Sequence, residues 1–283
     1  MGALHEGHLS LIREAARENT DVFDSDVKKL EKLNEELGNL GAGTGRITAI
    51  FAPTSKVVYP TMPPSSEIDG HGSFVNISPL ARNLEGVSRP VFFRGVATIC
   101  MKLFNVTTPD RVYFGQKDVQ QSVIVKRIVK DFLVDTEVRI IATAREPDGL
   151  ALGSRNVYLG ARRRIVGLTL HKALSAAAEA YKAGRTSRDD VLGASLNVAE
   201  RVLSKQQSLP PSKRALYKVD YISLADSESL EELDLVDPKK GAVLSTAFKM
   251  APLEETEPGE DCGLGDGKVP VRLIDNMILQ PQA

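Results

Sequence analysis

Pro109-Asp110-Arg111-Val112-Tyr113-Phe114-Gly115-Gln116-Lys117-Asp118-Val119-Gln120-Gln121 runs from an apolar tripeptide through a polar turn into a helix start. Val112-Tyr113-Phe114 suits a short buried strand, Ser122 to Val129 carries helical periodicity, and Glu137 to Thr143 reads as the next strand. Strand, helix and strand in this order predict a parallel α/β sheet. Ligands of open α/β sheets bind just beyond strand carboxyl ends, which is where Gly115 to Asp118 falls. Lys117 can neutralise phosphate there, and Asp118 can bind ribose hydroxyls. For these two residues alone, a tight surface turn with a local Lys-Asp pair is an equally good reading. Gln120 and Gln121 are poor core residues, yet their donor and acceptor functions suit a small hydroxy acid. The blander reading is a pair on the helix surface.

Upstream, Leu9 to Ala16 reads as an amphipathic helix, with Gly7-His8 at its positive end. His5-Glu6-Gly7-His8 puts two imidazoles on one side of the first turn, and the glycine lets a phosphate approach the backbone. Taken alone, the motif is more simply a turn with two exposed histidines. Lys28 to Leu37 is a second helical run, and Gly41-Ala42-Gly43-Thr44-Gly45 leads into a strand at Ile47 to Phe51. A dinucleotide fingerprint needs a strand before its glycines and a helix after them. The order here is the reverse, so the cluster reads as a flexible loop. Gly95 to Asn105 is an apolar helix.

Downstream, Arg145 to Asn156 forms a loop at a predicted domain junction, where Ser154 and Arg155 offer phosphate donors on a mobile segment. Taken in isolation, Arg155 is more simply read as a salt bridge holding two domains together. Beyond Arg162 the character changes to long helices at Ile165 to Ala183 and Asp189 to Ser204, then strands at Val219 to Leu224, Gly241 to Ser245 and Val271 to Asn276. This predicts two domains, 1–143 and 144–283, the second a smaller α+β domain. Pro252 to Pro270, rich in Glu, Gly and Asp, is expected to be a solvated insertion, and Arg162-Arg163-Arg164 a solvated helix start.

Composition narrows the function classes. With 36 basic against 37 acidic side chains, the net charge of −1 leaves no broad footprint for nucleic acid. Cys100 and Cys262 lie far apart without metal-ligand spacing, which fits a reducing compartment. No apolar stretch approaches the roughly 20 residues of a membrane span, and no signal-peptide core opens the chain. A soluble, cytoplasmic protein is expected.

In their order and spacing these elements resemble the pantoate–β-alanine ligase family of the His-x-Gly-His nucleotidyltransferases. The resemblance begins at Met1 to His8, resumes at Phe51-Ala52-Pro53 and Tyr59-Pro60, and is strongest from Leu84 through Leu159, where Arg94-Gly95-Val96-Ala97-Thr98 and Pro109 to Asp118 look nearly typical. It continues more loosely through Asp220-Tyr221-Ile222, the Asp226 to Leu233 stretch and Arg272 to Asn276. It implies a Rossmann-like parallel sheet with a smaller C-terminal α+β lid domain. It also implies ATP-dependent condensation of pantoate with β-alanine through pantoyl adenylate, releasing AMP and pyrophosphate. Carried over by motif, the catalytic residues are His5, His8, Lys117 and Arg155. ATP contacts fall on Met1, Gly2, His5, His8, Gly115, Lys117, Asp118, Ala144, Leu152, Ser154 and Arg155, and Gln121 corresponds to a pantoate-binding amide. Mg²⁺ with ATP and a homodimer through the large domain are further implications.

The sequence departs from that pattern at several places. No strand precedes Met1-Gly2, and Asp21-Val22-Phe23-Asp24 is expected to pass straight to the next helix, without the strand and Asn-Pro-x-Gln-Phe segment of relatives. Gly153 stands where relatives usually have Ser, and Phe92 where many have His. Because the flanking sequence stays family-like, a misplaced start and a skipped exon in the gene model are expected. The alternatives are a catalytically weak paralogue that keeps binding or dimerisation, and another His-x-Gly-His nucleotidyltransferase; the Gly115 to Gln121 stretch argues against the latter.

Overall fold

The computed structural model describes residues 6–18, 21–24, 34–35, 37, 45–61 and 71–282. Met1, Gly2, His5, most of the run from Lys28 to Leu37 and nearly all of the glycine cluster lie outside these residues. The chain divides into two compact units, Met1–Ala144 and Arg145–Ala283.

In the first unit, helix α1 (Glu6–Glu18) leads to strand β1 (Asp21–Asp24), which pairs in parallel with β2 (Arg46–Ile50). Helix α2 (Phe92–Thr107) precedes β3 (Arg111–Gly115), α3 (Val119–Asp131) and β4 (Glu137–Ile141). β3 and β4 are parallel, in unbroken register from Arg111 opposite Glu137 to Gly115 opposite Ile141. The α/β class therefore holds, and among the described residues its parallel sheet consists of two pairs, β1–β2 and β3–β4. The segment Asp21–Asp24 corrects the sequence reading, which expected no strand there. Val and Phe favour extended backbone, and the flanking acidic residues concealed a four-residue strand whose ladder is made by main-chain groups.

Ile12, Ala15 and Ala16 of α1 are buried with Leu37, while Leu9, Ile47 and Ile50 of β2, and Tyr113 of β3 pack against them. A single apolar face, set by the three- and four-residue spacing of a helix, thus spans both strand pairs. Withdrawing one side chain such as Ile12 from water contributes about 2 kcal/mol.

Gln120 is 3% exposed, which corrects its reading as a ligand-facing amide. Its Nε2 donates to Leu80 O at 2.8 Å and to Asn83 O at 2.7 Å, and its Oε1 accepts from Glu85 N at 3.0 Å. The amide ties the 80–85 loop to α3. Gly86 completes this packing, because a Cβ there would collide with the Ala81 carbonyl. Gln120→Ala leaves a buried carbonyl unsatisfied, and each such group costs about 1–3 kcal/mol. Urea unfolding is expected to show a loss of about 3 kcal/mol, and a change within 0.5 kcal/mol, the range of ordinary surface substitutions, would return Gln120 to the surface class.

The second unit contains helices α4 (Gly160–Gly167), α5 (Thr169–Lys182) and α6 (Arg188–Gln207), then an antiparallel sheet of β5 (Tyr217–Ala225), β6 (Ala242–Met250) and β7 (Val271–Leu279), ordered β5-β6-β7. Ser187 caps α6 by accepting from Asp190 N at 3.2 Å. The expected helix from Ile165 to Ala183 is interrupted at Leu168, where Thr169 Oγ1 donates to Val166 O at 2.6 Å and so competes with the helical ladder. One core gathers Leu159, Val166, Leu170, Tyr217, Phe248 and Leu273, and a second gathers Leu174, Tyr181, Val191, Leu224, Leu244 and Leu279. Tyr217 and Phe248 stack with ring centroids 4.9 Å apart.

The 252–270 segment is largely exposed, as its composition suggests, and it is also tied down: Ala161 N of α4 donates to Asp261 O at 2.9 Å, and within the segment Leu253 N donates to Gly267 O at 2.9 Å. One further expectation fails in this unit. The arginine run is not solvated. Arg162 Nε meets Glu260 Oε1 at 2.8 Å, and Arg163 is fully buried. The charge of the run misled because Arg162 meets Glu260 and Arg163 meets the Val269 carbonyl, about a hundred positions away in sequence.

Candidate active site

The direction of α1 locates the site in the first unit. At its carboxyl end, Glu18 O accepts from Arg111 Nη1 at 3.1 Å, and the Glu18 carboxylate accepts from Tyr113 Oη at 2.7 Å and from Arg139 Nη2 at 2.6 Å. The end of the helix therefore lies beside the start of β3, while Tyr113, further along the strand, packs against the cluster of Ile12, Ala15 and Ala16 from earlier turns, so α1 runs back along β3 in the antiparallel sense. From Glu18 back to His8 the helix rises about 15 Å, and from Arg111 to Gly115 the strand rises about 13 Å. The amino end of α1 consequently arrives at the carboxyl end of β3. His8, in the first turn of α1, and the Gln116–Asp118 turn share one end of the layer.

These anchoring contacts shift the charges involved. The Arg139 guanidinium, followed by the Tyr113 hydroxyl, holds the Glu18 carboxyl below its usual range, and hydrogen bonding to Glu18 raises Arg139. An acidic residue at a helix carboxyl end is unfavourable against the dipole, and Arg111 and Arg139 offset that penalty. Nothing in the sequence flagged Glu18, because its partners Tyr113 and Arg139 lie 95 and 121 residues away.

Gly115 sits on the same strand face as Arg111 and Tyr113, the face turned toward α1. Its φ of −78° is open to any residue, and a Cβ there would meet no atom within 4 Å. Neither backbone nor packing demands this glycine, so the space beside it is available to a ligand. Ser122 Oγ steadies the turn by contacting Gly115 O and Asp118 O, each at 3.4 Å. Lys117 is half-buried, Asp118 is exposed, and Gln121 is half-buried in the first turn of α3. Ala144 closes this unit.

Leu152, Ser154 and Arg155 belong to the second unit. Ser154 and Arg155 are exposed at the start of a 3-10 turn, Ser154–Tyr158, and Leu152 and Gly153 are half-buried before it. Met1, Gly2 and His5 remain outside the described residues. Among the described residues, no group of three or more His, Cys, Asp or Glu side chains can hold a metal ion, and no helix is long and apolar enough to cross a membrane.

The sequence profile of the Pantoate-beta-alanine ligase family matches residues 22–278. The pantothenate synthetase of Roseiflexus castenholzii is 37% identical over 293 residues, covering 99% of this chain and 90% of the relative. A crystal structure of the pantothenate synthetase from Thermus thermophilus superposes with a TM-score of 0.71 at 30% identity, covering 99% of this chain and 91% of that one. The pantoate-β-alanine ligase of Francisella tularensis, in a structure complexed with β,γ ATP and β-alanine, aligns with a TM-score of 0.57 at 27% identity, over 99% of this chain and 87% of that one. The chain belongs to the pantoate–β-alanine ligase family, whose members form a carbon–nitrogen bond.

Proposed function

We infer that this chain condenses pantoate with β-alanine, using ATP, to give pantothenate, AMP and pyrophosphate. What supports the reading is the direction of α1, anchored at Glu18 beside the start of β3 so that its amino end points toward the carboxyl end of that strand, where an open glycine and a lysine follow. In the first step a pantoate carboxylate oxygen attacks the α-phosphorus, and pyrophosphate leaves. In the second step the β-alanine amine attacks the acyl carbon, and AMP leaves with the bridging oxygen. The attacker and the phosphate are both anionic, so donors aimed at the phosphate oxygens must be in place beforehand.

His8 donates to the phosphates from the positive end of α1, with His5 beside it in sequence. Lys117 offsets charge that builds on the phosphate oxygens, Asp118 accepts from ribose hydroxyls, and Gln121 orients pantoate. Main-chain groups at Met1, Gly2, Gly115, Ala144 and Leu152 approach the nucleotide, and Ser154 with Arg155 grips its triphosphate. Mg²⁺ takes most of its ligands from phosphates and water; with no group of three or more His, Cys, Asp or Glu among the described residues that could hold a metal, the residues present fit an ion carried in on ATP, whose charge it would share. A cytoplasmic homodimer completes this reading.

The test is pantoate-dependent exchange of labelled pyrophosphate into ATP by the purified full chain, followed by pantothenate and AMP formation on adding β-alanine. Exchange that requires pantoate is expected. ATP binding without exchange would favour the catalytically weak paralogue.

A further inference from the structure

Asp275 lies on β7 in the second unit and is 4% exposed. Its carboxylate accepts two parallel bonds from Arg145, Oδ2 from Nη1 at 2.7 Å and Oδ1 from Nη2 at 2.9 Å. A buried fork of this kind is geometrically specific, since the guanidinium and carboxylate must be coplanar. Arg145 Nη1 also donates to Gly149 O at 3.1 Å, and Arg145 bridges to Ala151 across a narrow antiparallel turn. Glu146 N donates to Leu150 O at 2.9 Å and Gly149 N to Glu146 O at 2.8 Å, which fixes the shape of that turn. From its far side Arg164 reaches Glu146 at 3.1 Å and Asp148 at 2.7 Å. Gly149, at φ +94°, leaves room for the His171 ring, which a Cβ would strike at 2.8 Å.

The path continues toward the exposed pair. Asn156 Nδ2 donates to Ala151 O at 3.0 Å, and Asn156 N donates to Gly153 O at 3.0 Å. Ser154 and Arg155 lie between the two ends of that last bond. Hydrogen bonds and the Arg145–Ala151 bridge, the latter held by the Glu146–Leu150 bond, therefore connect the β7 carboxylate through Arg145, Ala151 and Asn156 to the Gly153–Asn156 turn.

We propose that Asp275 and Arg145 are positioning residues that set the Ser154–Arg155 turn for the ATP phosphates. This rests on the assignment of that turn to ATP. Neither side chain touches nucleotide; the buried pair fixes the 145–151 turn, and Asn156 passes its position on. Phosphate donors misplaced by an ångström lose most of their effect on an in-line attack, so the pair governs ATP use rather than pantoate use.

The experiment compares Arg155→Ala, Asp275→Asn and their combination in the pantoate-dependent exchange assay with the full chain. Arg155→Ala tests the underlying assignment, and an unchanged KM for ATP would overturn that assignment and the proposal with it. Given a raised KM for ATP in Arg155→Ala, Asp275→Asn is expected to raise KM for ATP about tenfold while KM for pantoate changes less than twofold. The double variant should then resemble Arg155→Ala, because both changes act through one turn. A fully additive double variant, or an Asp275→Asn enzyme with equal losses for both substrates, overturns the proposal. Asn156→Ala removes the last side-chain bond of the path without touching the buried pair. Should Asp275→Asn not fold, the same KM split in Asn156→Ala sustains the proposal, and its absence refutes it.

Discussion

Lys117→Ala is expected to slow pantoate-dependent ATP–pyrophosphate exchange by about 10²–10³-fold at saturating substrates, the loss typical when one preorganised donor to a developing anion is removed. Lys117 follows β3 directly, in the Gln116–Asp118 turn, at the sheet end that also receives the amino terminus of α1. In the proposed role, the Lys117 ammonium meets charge that builds on the phosphate oxygens as the carboxylate approaches, so the effect should fall on kcat more than on KM for pantoate. Lys117 is half-buried and its turn is held by Ser122, so the variant should melt within a degree or two of the parent. Lys117→Arg keeps the charge on a planar fork of different reach and should recover only part of the rate. A loss below tenfold for Lys117→Ala would reduce this lysine to a surface residue of the turn.

The features read correctly from sequence are those generated by local periodicity. Val112 to Phe114, the helix after it and Glu137 to Ile141 follow from runs of apolar residues a few positions long, and their parallel pairing follows from the intervening helix. Polar residues that became core were not legible. Gln120 and Gln121 are chemically identical neighbours, yet one is turned inward onto the carbonyls of Leu80 and Asn83, about forty residues upstream, and the other remains half-exposed. Only the tertiary path of the 80–85 loop distinguishes them. Asp275 shows the same limit, since its aspartate-in-strand pattern reads as a solvated position until Arg145, 130 residues earlier, is placed against it. The proposed site rests on a different signal: glycine, lysine and aspartate directly after a strand form the Gln116–Asp118 turn, a pattern that in sequence fits a tight surface turn as well as a ligand site.

Arg163→Met is expected to lower the stability of the second unit by about 4 kcal/mol, mostly through acceptors left without donors. Arg163 is 0% exposed. Its guanidinium donates to Leu159 O at 3.1 Å, Val269 O at 2.7 Å, Cys262 O at 3.4 Å and also to Tyr158 O. Burial lowers its pKa from the usual arginine value, but arginine remains charged in proteins, and the carbonyl dipoles supply its solvation. These acceptors come from the turn before α4 and from the 252–270 loop, so one side chain holds two segments that share no regular ladder. Gly160, at φ +63°, permits the close approach, because a Cβ there would run into Asp261 and Cys262. Methionine restores much of the apolar stem but none of the five donors. Lysine keeps the charge at a single point and cannot serve four divergent carbonyls, so Arg163→Lys should lose roughly half as much. The neighbouring Arg164, whose partners Glu146 and Asp148 are partly exposed, serves as the control: Arg164→Ala should cost under about 1 kcal/mol. Urea unfolding followed by a probe in each unit separates the two transitions, and hydrogen exchange should report the 252–270 loop opening first in Arg163→Met. Similar small losses for Arg163→Met and Arg164→Ala would mean that the carbonyls find water readily and that the loop is held by its other contacts.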